Sequence, residues 1–75
     1  MLLNMNTDGT ILAYDDEMKT GVILSHERQE KQYRFSRREW LSTYTMPRRG
    51  IIVSFDIAGA AAMKVTAVGI SSTIT

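Results

Sequence analysis

The sequence predicts an all-β protein: a five-stranded, OB-like barrel with a short helical turn between the third and fourth strands. Three observations carry this. Five segments rich in β-branched and aromatic residues are separated by polar or glycine-bearing turns. Two of them, residues 32–36 and 51–57, alternate apolar and polar side chains with the period of a half-buried strand. At 75 residues the chain is one small domain, too short to cover a sheet with helices, and closing the sheet removes its exposed edges.

Each element follows in order. Residues 10–14 read as the first strand, after the turn-forming Asp8-Gly9, with β-branched Thr10 and Ile11 and aromatic Tyr14. Asp15, Asp16 and Glu17 form a polar turn. Residues 20–25 make the second strand and residues 26–30 a polar connection. Residues 32–36 make the third, with Tyr33 and Phe35 on one face and Arg34 and Ser36 on the other. Ser36 followed by Glu39 has the spacing of a helix capping box. Pro47 and Gly50 end any helix, so residues 37–46 read as a short helical turn and loop. Residues 51–57 place Ile51, Val53, Phe55 and Ile57 on one face, with Ser54 and Asp56 opposite. Gly59 sits at a hairpin position, and Val65, Thr66 and Val68 make residues 61–70 a fifth strand rather than a helix. The domain is expected over residues 8–70, with loose ends at 1–7 and 71–75.

Composition narrows the function. With no cysteine, the chain holds no disulfide, thiolate ligand or thiol nucleophile, and one histidine cannot build a histidine metal cluster. No run approaches the ~20 apolar residues of a membrane span. Met1-Leu2-Leu3-Asn4 does not read as a signal peptide, so a cytoplasmic protein without a membrane partner is expected. Ser25 and His26 are strand neighbours facing opposite ways, a poor nucleophile–base pair. The acidic run Asp15-Asp16-Glu17 lacks the ligand spacing of a calcium loop. No enzyme, cofactor, metal or small-molecule substrate is expected. The net charge of +1 hides a segregation: residues 1–27 carry −4, residues 28–49 carry +5, and the rest balance. Six of the seven basic residues in the middle segment are arginine, the side chain suited to phosphate forks and to stacking on bases. The segment reads either as an anion-binding surface or as a solvated face paired with Glu39 and the acidic turn.

The order of Gly9, Ile11, Leu12 and Tyr14, then Gly21, Val22 and Ile23, then Tyr33 and Phe35, then Trp40, then Pro47 and Gly50, then Val53, Ser54 and Phe55, then Ala62 and Val65 resembles the cold-shock domain family. The likeness is to its divergent branch of small bacterial OB-fold domains. It covers about residues 8–70 and lies in the order and spacing of the motifs. It implies a barrel that binds single-stranded RNA or DNA on aromatics from two motifs in the second and third strands. The first family motif, Lys-Gly-aromatic-Gly-aromatic-Ile, anchored on Gly21 and Ile23, puts its aromatics on Thr20 and Val22 and its basic residue near Lys19. The second, Val-Phe-Val-His, puts its outward Phe on Arg34 and its His on Ser36. The family's tryptophan before the first motif falls on Tyr14. Base stacking on aromatics is worth roughly 1–3 kcal/mol per base. With Thr20, Val22, Arg34 and Ser36 at the stacking positions, the affinity expected here comes mainly from arginine and phosphate.

The nucleic-acid-binding candidates are therefore Tyr14, Lys19, Thr20, Val22, Arg34, Ser36, Arg37, Arg38, Arg48 and Arg49, with His26 nearby. Tyr33 and Phe35 read as core. Trp40 reads either as the base of the core or as an exposed anchor. In the second reading the barrel is a protein-interaction, inhibitor or oligomerisation module acting through the 40–49 segment, with Trp40, Tyr44 and Met46 as the contact residues.

Overall fold

The structure is a computed structural model that describes residues 6–27 and 31–70. The expectations for residues 1–5 and 71–75 lie outside that range. Five strands close into a barrel: β1 (Asn6–Asp15), β2 (Thr20–Ser25), β3 (Gln32–Ser36), β4 (Ile51–Ala58) and β5 (Ala61–Ile70). Around the barrel the order is β1-β2-β3-β5-β4, and β4 returns to β1. All neighbours are antiparallel except β3 and β5, which run parallel.

Strands β2 and β3 have the expected bounds, and β4 and β5 differ by at most one residue. The first strand begins earlier than expected. Asn6 to Thr10 pair with β4, from Asn6 opposite Asp56 to Thr10 opposite Ile52. Thr7 is buried and donates a hydrogen bond to Glu27 Oε1 at 3.0 Å. Asn6 and Thr7 thus belong to the barrel, and Asp8-Gly9 is not a turn. Gly9 is needed there because a Cβ would stand 2.6 Å from Ile23 Cγ2 and 2.6 Å from the Leu24 carbonyl oxygen. The close approach of β2, not a reversal of the chain, selects glycine.

The expected short helical turn lies between β3 and β4, but without the expected cap. One 3₁₀ turn covers Arg37–Glu39, and Ser36 makes no side-chain cap. The Glu39 carboxylate reaches β5 instead and accepts the Lys64 amide at 3.1 Å. Segment 40–45 then runs along β5. Trp40 bridges to Val65, Leu41 donates its amide to the Val65 carbonyl, and Ser42 Oγ accepts the Ala67 amide. These contacts satisfy the edge of β5 that β3 leaves uncovered.

The core is built from the inward positions of every strand: Ile11, Ile23, Tyr33, Phe35, Ile51, Val53, Phe55, Ala62, Val65 and Ala67. Trp40 joins it at 5% exposure, 6.3 Å between ring centroids from Phe35, and its indole N–H donates to the Thr45 carbonyl. Trp40 is therefore a core residue and not an exposed anchor. Tyr33 packs on Phe55 at 5.7 Å, as its strand face implies. Among the described residues no helix is long and apolar enough to cross a membrane.

Candidate ligand groove on the outer face of β1, β2 and β3

Strand register sorts the candidate residues. On the inside, Tyr14 lies opposite Gly21, and Gly21 opposite Phe35. The next rows face out: Ala13, Val22 and Arg34 form one, and Asp15, Thr20 and Ser36 the other. Thr20, Val22, Arg34 and Ser36 therefore lie side by side on one surface. They line an open groove of about 970 Å³. Tyr14, Gly21 and Phe35 also line it. Its further walls are the β1–β2 turn, with Asp15, Asp16 and Met18, and the start of β5, with Ala61, Ala62 and Met63.

Tyr14 is not a free stacking platform. It is half-buried and stacks on Phe35, with ring centroids 6.0 Å apart and an interplanar angle of 22°. Its hydroxyl is buried and has no hydrogen-bond partner among the described residues. Arg34 is exposed, and its backbone amide donates to the Ala60 carbonyl across the β3–β5 junction.

The groove carries both signs of charge. Asp15, Asp16 and Glu39 line it together with Arg34. Each carboxylate already holds another donor. Asp15 Oδ1 accepts the amides of Glu17 and Met18, which closes the turn. Asp16 Oδ1 is 3.5 Å from the Lys19 ammonium, and Glu39 holds the Lys64 amide. Among the described residues, none of Arg34, Arg37, Arg38, Arg48 and Arg49 is paired with a carboxylate. Among the described residues these five arginines thus make no ion pair with Glu39 or with the acidic turn.

The basic residues do not form one surface. Arg37 adjoins the groove: its amide donates to the Lys19 carbonyl at 2.9 Å, and its guanidinium donates to Met46 Sδ at 3.5 Å. Arg38 follows it in the same exposed turn. Arg48 instead lines a second groove, of about 490 Å³, with Tyr44, Thr45, Ile51 and the end of β5. Arg49 lines neither. Of the partner-contact candidates, Tyr44 is 75% exposed although its hydroxyl donates to the Ala67 carbonyl, and Met46 is 52% exposed. His26 is exposed and hydrogen-bonded through Nε2 to Thr10 Oγ1 at 2.6 Å, away from the groove-lining residues.

Two backbone positions stand out. Lys19, with φ of 59°, and Lys64, with φ of 53°, occupy the left-handed region. For a residue with a Cβ this costs about 1–2 kcal/mol. Lys19 closes the β1–β2 turn, its amide donating to the Asp15 carbonyl at 2.8 Å. Lys64 lies in an irregular stretch of β5, between residues paired to Ser54 and Asp56.

Sequence reasoning missed the β5 wall of the groove and the part played by Glu39. β-Branched Val65, Thr66 and Val68 mark a strand, but nothing local marks its partner as β3. In comparisons with known proteins the chain matches no family model, and no curated protein or solved structure matches it significantly.

Proposed function

We propose that this small OB-like, cold-shock-like barrel is a non-enzymatic module that binds single-stranded nucleic acid, RNA or DNA, across the outer face of β1, β2 and β3. The observation that carries the reading is Arg34. It stands exposed in the groove between Val22 and Ser36 and, among the described residues, makes no ion pair. An unpaired guanidinium in a groove suits a phosphate oxygen. Thr20 and Ser36 supply hydroxyls beside it, and Val22 supplies an apolar surface for a base or sugar. Lys19, Arg37 and Arg38 extend the positive charge at the rim. Arg48 and Arg49 fall outside this interface.

With no aromatic free to stack, affinity comes from phosphate contacts, and it is therefore weakly sequence-selective and strongly salt-dependent. For about three neutralised phosphates, affinity falls by roughly twentyfold between about 50 and 200 mM salt. Trp40 is buried, so the test is fluorescence anisotropy of a labelled mixed-sequence single strand and not tryptophan quenching. Arg34→Ala is expected to weaken binding and flatten the salt dependence without changing the thermal midpoint. No binding by the wild type at micromolar concentration and low salt refutes the reading. In that case the second groove becomes the better site. There Tyr44, Val68 and Ile70 stand exposed beside Arg48, a composition that suits a protein contact.

A further inference from the structure

We propose that Lys64 is a second phosphate-contact residue, set on the β5 side of the groove opposite Lys19, so that a bound strand crosses from the β1–β2 turn over Arg34 to β5. The inference rests on the nucleic-acid reading and adds to it the path of the ligand. Among the described residues, four have positive φ: Lys19, Gly50, Gly59 and Lys64. Gly50 precedes β4 and Gly59 lies in the β4–β5 turn, and neither lines the groove. At those two sites the chain uses the residue that adopts this conformation without strain. At the two sites that directly adjoin a groove-lining residue, beside Thr20 and beside Met63, it uses lysine, although neither lysine itself lines the groove.

Local structure does not explain the choice. The Lys64 conformation is fixed through its backbone, because its amide donates to Glu39 Oε1 and glycine would make the same bond. The Lys64 side chain is exposed and, among the described residues, has no ion pair. Among the described residues the Lys19 ammonium reaches only Asp16, with both groups exposed, and such pairs contribute little. What lysine adds at each site is a cation on a long, mobile stem. Met63, the residue before Lys64, lines the groove, as does Glu39, which holds its amide. Thr20, the residue after Lys19, lines the opposite side. Arg34 lies between them, tied to β5 through its register with Ala61. Arg34 thus lines the groove, and Lys19 and Lys64 adjoin its lining residues on either side. A repeating polyanion meets all three in sequence, whereas a single small anion meets only one.

The test compares wild type, Lys64→Gly and Lys64→Arg in the same anisotropy assay, with a mixed-sequence single-stranded DNA of about twelve nucleotides, a length within the range one such fold covers. Lys64→Gly is expected to keep or raise the thermal midpoint, since it removes the strain. It is expected to weaken binding about three- to tenfold and to lower the slope of log affinity against log salt by about 0.7, one phosphate contact on a single strand. Lys64→Arg keeps the charge and is expected to keep the slope. If the wild type binds and Lys64→Gly binds with unchanged affinity and slope, Lys64 is not a contact and the broader reading stands. A clear fall in the midpoint of Lys64→Gly overturns the strain argument. If the wild type does not bind, the broader reading fails and this inference fails with it.

Discussion

Replacing Gly21 with alanine tests whether the inner wall of the groove is packed as described. Gly21 lies in β2 opposite both Tyr14 and Phe35. A Cβ added there would stand 2.5 Å from Phe35 Cε1, 2.6 Å from Cζ and 2.9 Å from the Ala13 carbonyl oxygen. The contact cannot be relieved cheaply. The Phe35 ring is buried, stacks on Tyr14 at 6.0 Å and packs against Trp40 at 6.3 Å, and the carbonyl belongs to the neighbouring strand. Overpacking of this kind costs typically about 1–3 kcal/mol. In a domain of this size, about 2 kcal/mol lowers the thermal midpoint by about 8–16 °C. The assay is thermal unfolding followed by Trp40 fluorescence, because that indole sits in the same cluster. Gly69→Ala is the control: nothing lies within 4 Å of the added Cβ, and its midpoint is expected to stay close to wild type. Equal midpoints for Gly21→Ala and wild type would refute the packing of Phe35 on β2.

Two further outcomes follow from single side chains. Trp40→Ala removes a buried indole and its hydrogen bond to the Thr45 carbonyl, a loss of about 3–5 kcal/mol that takes most of the stability of a domain this small. A folded Trp40→Ala protein with a near wild-type midpoint by circular dichroism would return Trp40 to the surface. Tyr14→Phe removes a buried hydroxyl that has no partner among the described residues and is expected to stabilise by about 1 kcal/mol, seen as a higher midpoint in calorimetry. A lower midpoint would mean that the hydroxyl has a bonding role the packing does not reveal.

The parts of this fold that were legible are those governed by local pattern. Tyr33, Arg34, Phe35 and Ser36 alternate cleanly, and β3 forms where that alternation lies. Ile51, Val53 and Phe55 do the same for β4. What failed was decided by partners far along the chain. Asp8-Gly9 has the composition of a turn, yet pairing with Ser54 and Val53 holds it extended. Glu39 has the spacing of a capping box, yet an amide 25 residues away captures it. The site shows the same division. Alternation alone put Arg34 and Ser36 on one face of β3, and the family resemblance added Thr20 and Val22, which line the same groove. Arg48 and Arg49 were grouped with them by charge alone, and the irregular chain after Trp40 carries them elsewhere.

The union of β3 with β5 has a mechanical meaning. It is the one parallel junction in the barrel, and its register rests on Arg34 opposite Ala61, with a 3.2 Å bond from the Arg34 amide to the Ala60 carbonyl. Below it, Trp40 and Leu41 continue the attachment to Val65 from outside the strands. The other four junctions are antiparallel ladders with five or more registered pairs. The cylinder therefore has a seam, and the seam runs beneath the groove, where Arg34 and Ala61 both line it. The groove therefore lies partly over the junction with the fewest registered pairs and partly over the β1–β2 and β2–β3 ladders.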